Sequence, residues 1–152
     1  MLSKKGSNQT SIETLAIFLK RSGYLIKRTS SKNIQLLRLL DMLYTIFRHS
    51  KNTDYVLIDT YSTNGFWFAY LSGILCYRLK LNYIPILRGG NLPQRLKKNP
   101  KLCHTLFSKA YINIAPSNYL FQKFKTQGFD NLKLIPNTIE IKNYNFKKRS
   151  VL

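Results

Sequence analysis

Acidic side chains are what this sequence has least of. Six Asp and Glu stand against 25 Lys and Arg in 152 residues, a formal charge of +19. No two acids fall in a D-x-D pattern, so no metal requirement is indicated, and no cofactor is expected. The basic excess attracts anions, whether nucleic acid, anionic lipid headgroups or phosphorylated substrates. A basic surface with no dedicated partner is the plain alternative. Cysteine is nearly absent too. Cys76 and Cys103 lie far apart in apolar segments, which suggests buried thiols and a reducing compartment. Neither has a Cys or His at ligand spacing, since Cys103 and His104 are adjacent, and this argues against zinc. Long apolar runs are missing. The most membrane-like stretch, Gly65–Tyr77, stops at Arg78, short of the about 20 residues that span a bilayer. It reads as a core helix. Met1–Asn8 is polar, so no secretory signal is visible and a cytoplasmic location is expected.

What is present is enough for a folded domain. Apolar residues make up 44% and aromatics 13%, which excludes a disordered chain despite the charge. The length suits one domain with a real core, and no internal repeat interrupts it.

The chain is organised around Tyr83–Arg95, Y-I-P-I-L-R-G-G-N-L-P-Q-R. Tyr83 to Leu87 predicts a short buried strand, which Arg88-Gly89-Gly90-Asn91 breaks before a helix starting near Pro93. In an open α/β sheet that is the edge where ligands bind. Glycines let the backbone approach a ligand closely, a helix start offers N–H groups, and Arg88 supplies a planar cation. A tight turn carrying a surface arginine is the bland reading.

Thr10 and Glu13 have capping-box spacing, and Ile12, Leu15, Ala16, Phe18 and Leu19 follow with helical period as far as Gly23. Tyr24–Thr29 alternates enough to predict a strand. A helix follows over residues 33–48, then a short buried strand at Tyr55–Ile58. Asp59-Thr60-Tyr61-Ser62-Thr63-Asn64 reads as a polar loop, and residues 65–80 as the next helix. Residues 92–108 hold one or two helices interrupted near Pro100. Tyr111–Ala115 is a further strand, Ser117 caps a helix closed by Gly128, and Leu132–Ile135 is the last strand.

Strands and helices alternate with short connections, the pattern of an α/β fold with a doubly wound, mostly parallel sheet. Its functional loops lie after the strand C-termini: Asp59–Asn64, Arg88–Asn91, Pro116–Asn118 and Pro136–Thr138. The Lys4–Asn8 stretch resembles a phosphate-facing turn that should follow a strand, yet only Met1, Leu2 and Ser3 precede it. The first central strand is therefore expected to be missing, and marginal stability with it. A cooperative melt above about 50 °C for the isolated chain would contradict that expectation.

Lys5-Gly6-Ser7-Asn8, Asp54–Asp59, Leu87–Pro93, Ala115-Pro116-Ser117 and Ile135-Pro136-Asn137 occur in an order that resembles the N-terminal, acceptor-side half of GT-B glycosyltransferases. These are the retaining, nucleotide-sugar enzymes of glycosyltransferase family 4. The A-P-S element is similar to the family's V-S-x strand end, and Pro136-Asn137 to its I-P-N-G-V-D. The resemblance implies a Rossmann-like domain over residues 1–136 and a basic linker over 137–152 toward a C-terminal domain. It implies that Gly6, Ser7 and Asn8 face the donor diphosphate and that Asp59, Thr60, Tyr61 and Ser62 face the acceptor. Arg88, Gly89, Gly90 and Asn91 would line the cleft, with Ser117 beside it. The implied partners are a nucleotide sugar and a glycan or lipid-linked acceptor, with an anionic membrane surface as a further candidate. No residue stands out as a nucleophile, and the family's chemistry is usually described as front-face transfer. The family's donor half carries paired glutamates; this chain has only Glu13 and Glu140. It therefore reads as part of a longer enzyme, cut at both ends and inactive alone.

Two other classes compete. One is a doubly wound anion- or nucleotide-binding domain without catalysis, which fold analogy alone does not separate from a transferase. The other is a nucleic-acid-binding module, in which aromatics among cations could stack bases. No RNP, KH or helix-turn-helix signature supports it, and Phe66, Trp67 and Phe68 fall on expected core positions. His49 reads as a charge complement at a helix end. His104 has no carboxylate nearby in sequence, and Asp41 is expected to face solvent or pair with Arg38. The Lys147-Lys148-Arg149 run reads as solvated linker.

Overall fold

A computed structural model describes residues 11–29 and 34–137, and its chain divides into two compact units. One unit includes the first helix, α1 (Ser11–Arg21). Glu13 sits in its first turn and Lys20 and Arg21 in its last, the order that suits the helix dipole. Gly23 at φ +88° then closes it, with the Tyr24 N–H reaching back to the Leu19 carbonyl. That left-handed step is one an L side chain resists, which is why the glycine sits there.

The other unit, Lys27–Pro136, holds the sheet. Its elements run α2 (Gln35–His49), a short 3-10 turn (Ser50–Asn52), β1 (Tyr55–Tyr61), α3 (Gly65–Arg78), β2 (Asn82–Arg88), α4 (Leu92–Lys98), α5 (Pro100–Ser108), β3 (Asn113–Ala115), α6 (Asn118–Lys125) and β4 (Leu132–Leu134). All four strands are parallel, in the order β1-β2-β3-β4, so each strand pairs with the next in sequence. Parallel neighbours need a crossover, and helices fill each one. The fold is α/β and Rossmann-like, with a parallel sheet, as the alternation of elements implies.

The β1–β2 ladder is the longest, from Tyr55 opposite Asn82 to Tyr61 opposite Arg88. Alternation places Val56, Ile58 and Thr60 on one face with Tyr83, Pro85 and Leu87. That face joins the main core with Phe66, Ala69 and Cys76 of α3 and Leu106 and Phe107 of α5. α3 packs closely on α5 and β2: a Cβ on Gly73 would lie 2.5 Å from Leu106 and 3.1 Å from Tyr83. The Tyr83 hydroxyl, buried with its ring, donates to the Leu106 carbonyl at 2.6 Å. Asp59, Tyr61, Ile86 and Arg88 belong to the opposite face, and Ile86, although buried, lies outside the core cluster.

Two expectations change. Tyr24–Thr29 is not a strand, because period-2 patterning makes a strand only where a neighbour offers backbone partners, and none pairs with it among the described residues. Asp59, Thr60 and Tyr61 do not form a loop; β1 carries on through them because Ile86, Leu87 and Arg88 continue alongside. Asp41 is half-buried and accepts a hydrogen bond from the Thr29 hydroxyl at 2.9 Å. The interruption near Pro100 is found as expected, between α4 and α5.

Candidate functional site at the strand C-termini

β1 and β2 end level with one another, since Tyr61 pairs with Arg88, and their last residues deliver the polar groups of the sheet edge. Arg88 Nε donates to Asp59 Oδ1 at 2.9 Å, with side-chain exposures of 10% and 16%. Burial pushes the Asp59 carboxyl above its ordinary value, and the charge and hydrogen bond of Arg88 offset only part of that. The pair is therefore a fixed element of the site, held by two strands instead of by a flexible loop.

Beyond Arg88 the chain turns through Gly89 at φ +85°, and Gly89, Gly90 and Asn91 are all exposed. Nothing lies within 4 Å of where a Cβ would stand on either glycine, so the backbone here borders open space. The helix that follows is a short one. α4 has seven residues, and its Leu92 N–H already points to the Gly89 carbonyl, so the helix start adds little as an anion site.

Sequence reasoning passed over Arg95. Its guanidinium carbon stands 4.5 Å from the Phe66 ring centre and 5.9 Å from that of Trp67. Phe66 and Trp67 form the first turn of α3, the helix that leaves β1, so Arg95 ties the second crossover to the first. Arg95 Nε is buried without a hydrogen-bond partner among the described residues. The only sequence signal was an arginine on the inward side of a short helix.

The remaining candidates separate. Thr60 is fully buried on the core face, its hydroxyl on the Ile58 carbonyl at 3.1 Å, and offers no atom to a cleft. Tyr61 is exposed and Ser62 half-buried beyond it. Ser117 is exposed, and its Oγ accepts from the Leu120 N–H at 3.3 Å, the helix-capping role its position predicts. Gly6, Ser7 and Asn8 lie outside the described residues, as does the linker beyond Asn137. His104 faces a shallow depression of about 440 Å³, shared with Leu96, Thr105 and Phe129, that is built by α4, α5 and the α6–β4 connection and not by the strand C-termini.

Among the described residues no cluster of His, Cys, Asp or Glu could hold a metal ion, and no helix is long and apolar enough to cross a membrane. No protein-family model, curated protein or solved structure matches the chain.

Proposed function

We propose that this chain is the acceptor-side domain of a glycosyltransferase of the GT-B, family 4 kind, which transfers a sugar from a nucleotide-sugar donor to a glycan or lipid-linked acceptor. The single observation that carries the reading is the sheet edge itself. Asp59 and Arg88 are locked together at the ends of adjacent parallel strands, beside a Gly89-Gly90 turn open to ligand. Ligands of open α/β sheets bind beyond the strand C-termini, and three of the motifs, Leu87–Pro93, Ala115-Pro116-Ser117 and Ile135-Pro136-Asn137, fall at or just after the ends of β2, β3 and β4. The donor clamp belongs to a second domain in this reading, so the chain alone binds acceptor and does not turn over. Its +19 charge suits a lipid-linked phosphate acceptor at the inner face of an anionic membrane, with a cytoplasmic location.

The rival reading, a domain that binds nucleotides without catalysis, is separated by two probes. Farnesyl diphosphate stands for a lipid-linked acceptor and uridine diphosphate glucose for the donor. The expected result is binding of the first, weakened about tenfold by Arg88→Ala, with no measurable binding of the second. Tight binding of the nucleotide sugar to the isolated chain would overturn the acceptor-side assignment in favour of the rival.

A further inference from the structure

Three neighbouring helices carry cations and no acid. α4 reads LPQRLKK, α5 PKLCHTLFS and α6 NYLFQKFK, so Arg95, Lys97, Lys98, Lys101, Lys123 and Lys125 meet no Asp or Glu within them. α4 packs on both of the others. Asp130, the acid that follows in the α6–β4 connection, already holds Lys125 at 2.7 Å.

Among these helices lies the depression beside His104. Its floor is apolar: Leu96 and Phe129 are each 4% exposed, and the His104 ring tilts against Phe129 with centroids 6.0 Å apart. Its rim is polar. Lys101, His104 and Gln127 are exposed, and none of the three makes a side-chain hydrogen bond to another described residue. A second depression of about 340 Å³ adjoins the first, sharing Pro100 and Lys101 and reaching Asn99 at the end of α4. The result is a short groove with an apolar floor, free donors and cations on its margin.

We propose that this groove docks a separate polypeptide through a segment in which one aromatic side chain stands between carboxylates. The aromatic side chain enters the depression over Leu96 and Phe129. Its acidic neighbours meet Lys101 and the Lys97-Lys98 end of α4. Aromatic anchors in recessed sites carry much of the energy of such contacts, and complementary charge at the rim sets rate and selectivity. Shape decides against other anionic partners. Phe129 is buried and offers no open ring face on which bases could stack, and a concave surface does not meet a flat bilayer. The complementary charge is local, since it comes from the helices that build the groove. The groove lies away from the strand C-termini and owes nothing to the proposed transferase function.

The test uses the full chain and a fluorescein-labelled peptide, Glu-Asp-Glu-Trp-Glu-Asp-Glu, followed by anisotropy. Lys101→Ala is expected to weaken binding about threefold, the size of one exposed ion pair. Gln127→Trp, which fills the depression from its exposed rim, should weaken it about tenfold, and so should replacing the peptide's tryptophan by alanine. Lys51→Ala removes the same charge from the exposed 3-10 turn before β1 and should leave binding unchanged. Amide exchange should slow over residues 101–105 and 127–129 when peptide is added. No binding, equal losses in Lys51→Ala and Lys101→Ala, or equal binding of the tryptophan-free peptide would overturn the proposal. So would protection at the strand C-termini instead of the groove. Tighter binding of oligothymidylate that Gln127→Trp abolishes would assign the groove to nucleic acid.

Discussion

Arg88 reaches Asp59 diagonally across the β1–β2 ladder. Its register partner is Tyr61, and Asp59 itself stands opposite Ile86, so the guanidinium leans back along the sheet to make its 2.9 Å bond. Diagonal neighbours on one face of a sheet lie within reach of long side chains. The bond fixes the Arg88 side chain at the point where the strand gives way to the Gly89-Gly90 turn.

The pair gives stability a pH dependence whose sign follows from the direction of the Asp59 shift. The folded carboxyl holds its proton more tightly than the unfolded one, because burial outweighs the attraction of Arg88. Its contribution is therefore full below the ordinary carboxylate range and is lost as pH rises through the raised folded value. Denaturant midpoints measured from that range up to neutrality should fall with pH on this account, and Asp59→Asn should flatten the slope. Arg88→Ala leaves a buried carboxylate without its cation. It should cost about 3 kcal/mol at neutral pH and steepen the dependence.

Asn113 and Asn131 share one acceptor. Both side-chain amides donate to the Phe107 carbonyl at 2.9 Å, and Asn131 also donates to that of Ala110 at 2.8 Å. Together they tie the end of α5 to the starts of β3 and β4. Asn131→Ala, which takes the side-chain donor from the Ala110 carbonyl, should destabilise by about 1–3 kcal/mol, and Asn113→Ala, which leaves the Phe107 carbonyl its Asn131 donor, by about 0.5–1.5 kcal/mol. A urea titration in which either variant keeps the parent midpoint would refute this.

At Gly73, α3 comes close to both α5 and β2. Leu106 and Tyr83, the groups an added methyl would meet, are fully buried and have no room to retreat. Gly73→Ala should therefore lose about 1–3 kcal/mol, even though alanine is the better helix former. A rise in melting temperature for the variant would show that the core yields more readily than its geometry suggests.

Both thiols should be silent in the native protein. Burial pushes Cys76 up to about 12 and Cys103 up to about 11, so neither supplies much thiolate at neutral pH. Ellman's reagent should react with neither until denaturant is added, and then with both. Prompt reaction of one thiol in the native state would mark a local opening at that position.

Helix ends and strand interiors were legible because their signals are local. Gly23 and Gly128 stop α1 and α6 at left-handed residues, Pro100 divides α4 from α5, and the Tyr83–Leu87 run is a buried strand. Lys80 was not legible in this way. It takes φ +57° after α3, with the Leu81 N–H on the Cys76 carbonyl, a position usually given to glycine. The site was half legible. Asp59 and Arg88 could be placed at strand ends from spacing, but their bond depends on parallel register, which links residues 29 positions apart. The same gap misread Tyr24–Thr29, where alternation is visible in sequence and the missing neighbour is not. Arg95 on Phe66 and Trp67 depends on two crossovers meeting, which no local pattern encodes.

The order β1-β2-β3-β4 also bears on how the chain is made. Among the described residues, β1, β2 and β3 each pair with the next strand synthesised, one crossover later. Loop closure is therefore short at each step, and the sheet can be laid down in the direction of translation. Growth of this kind is one-sided. Within this series each new strand is added on the side away from β1.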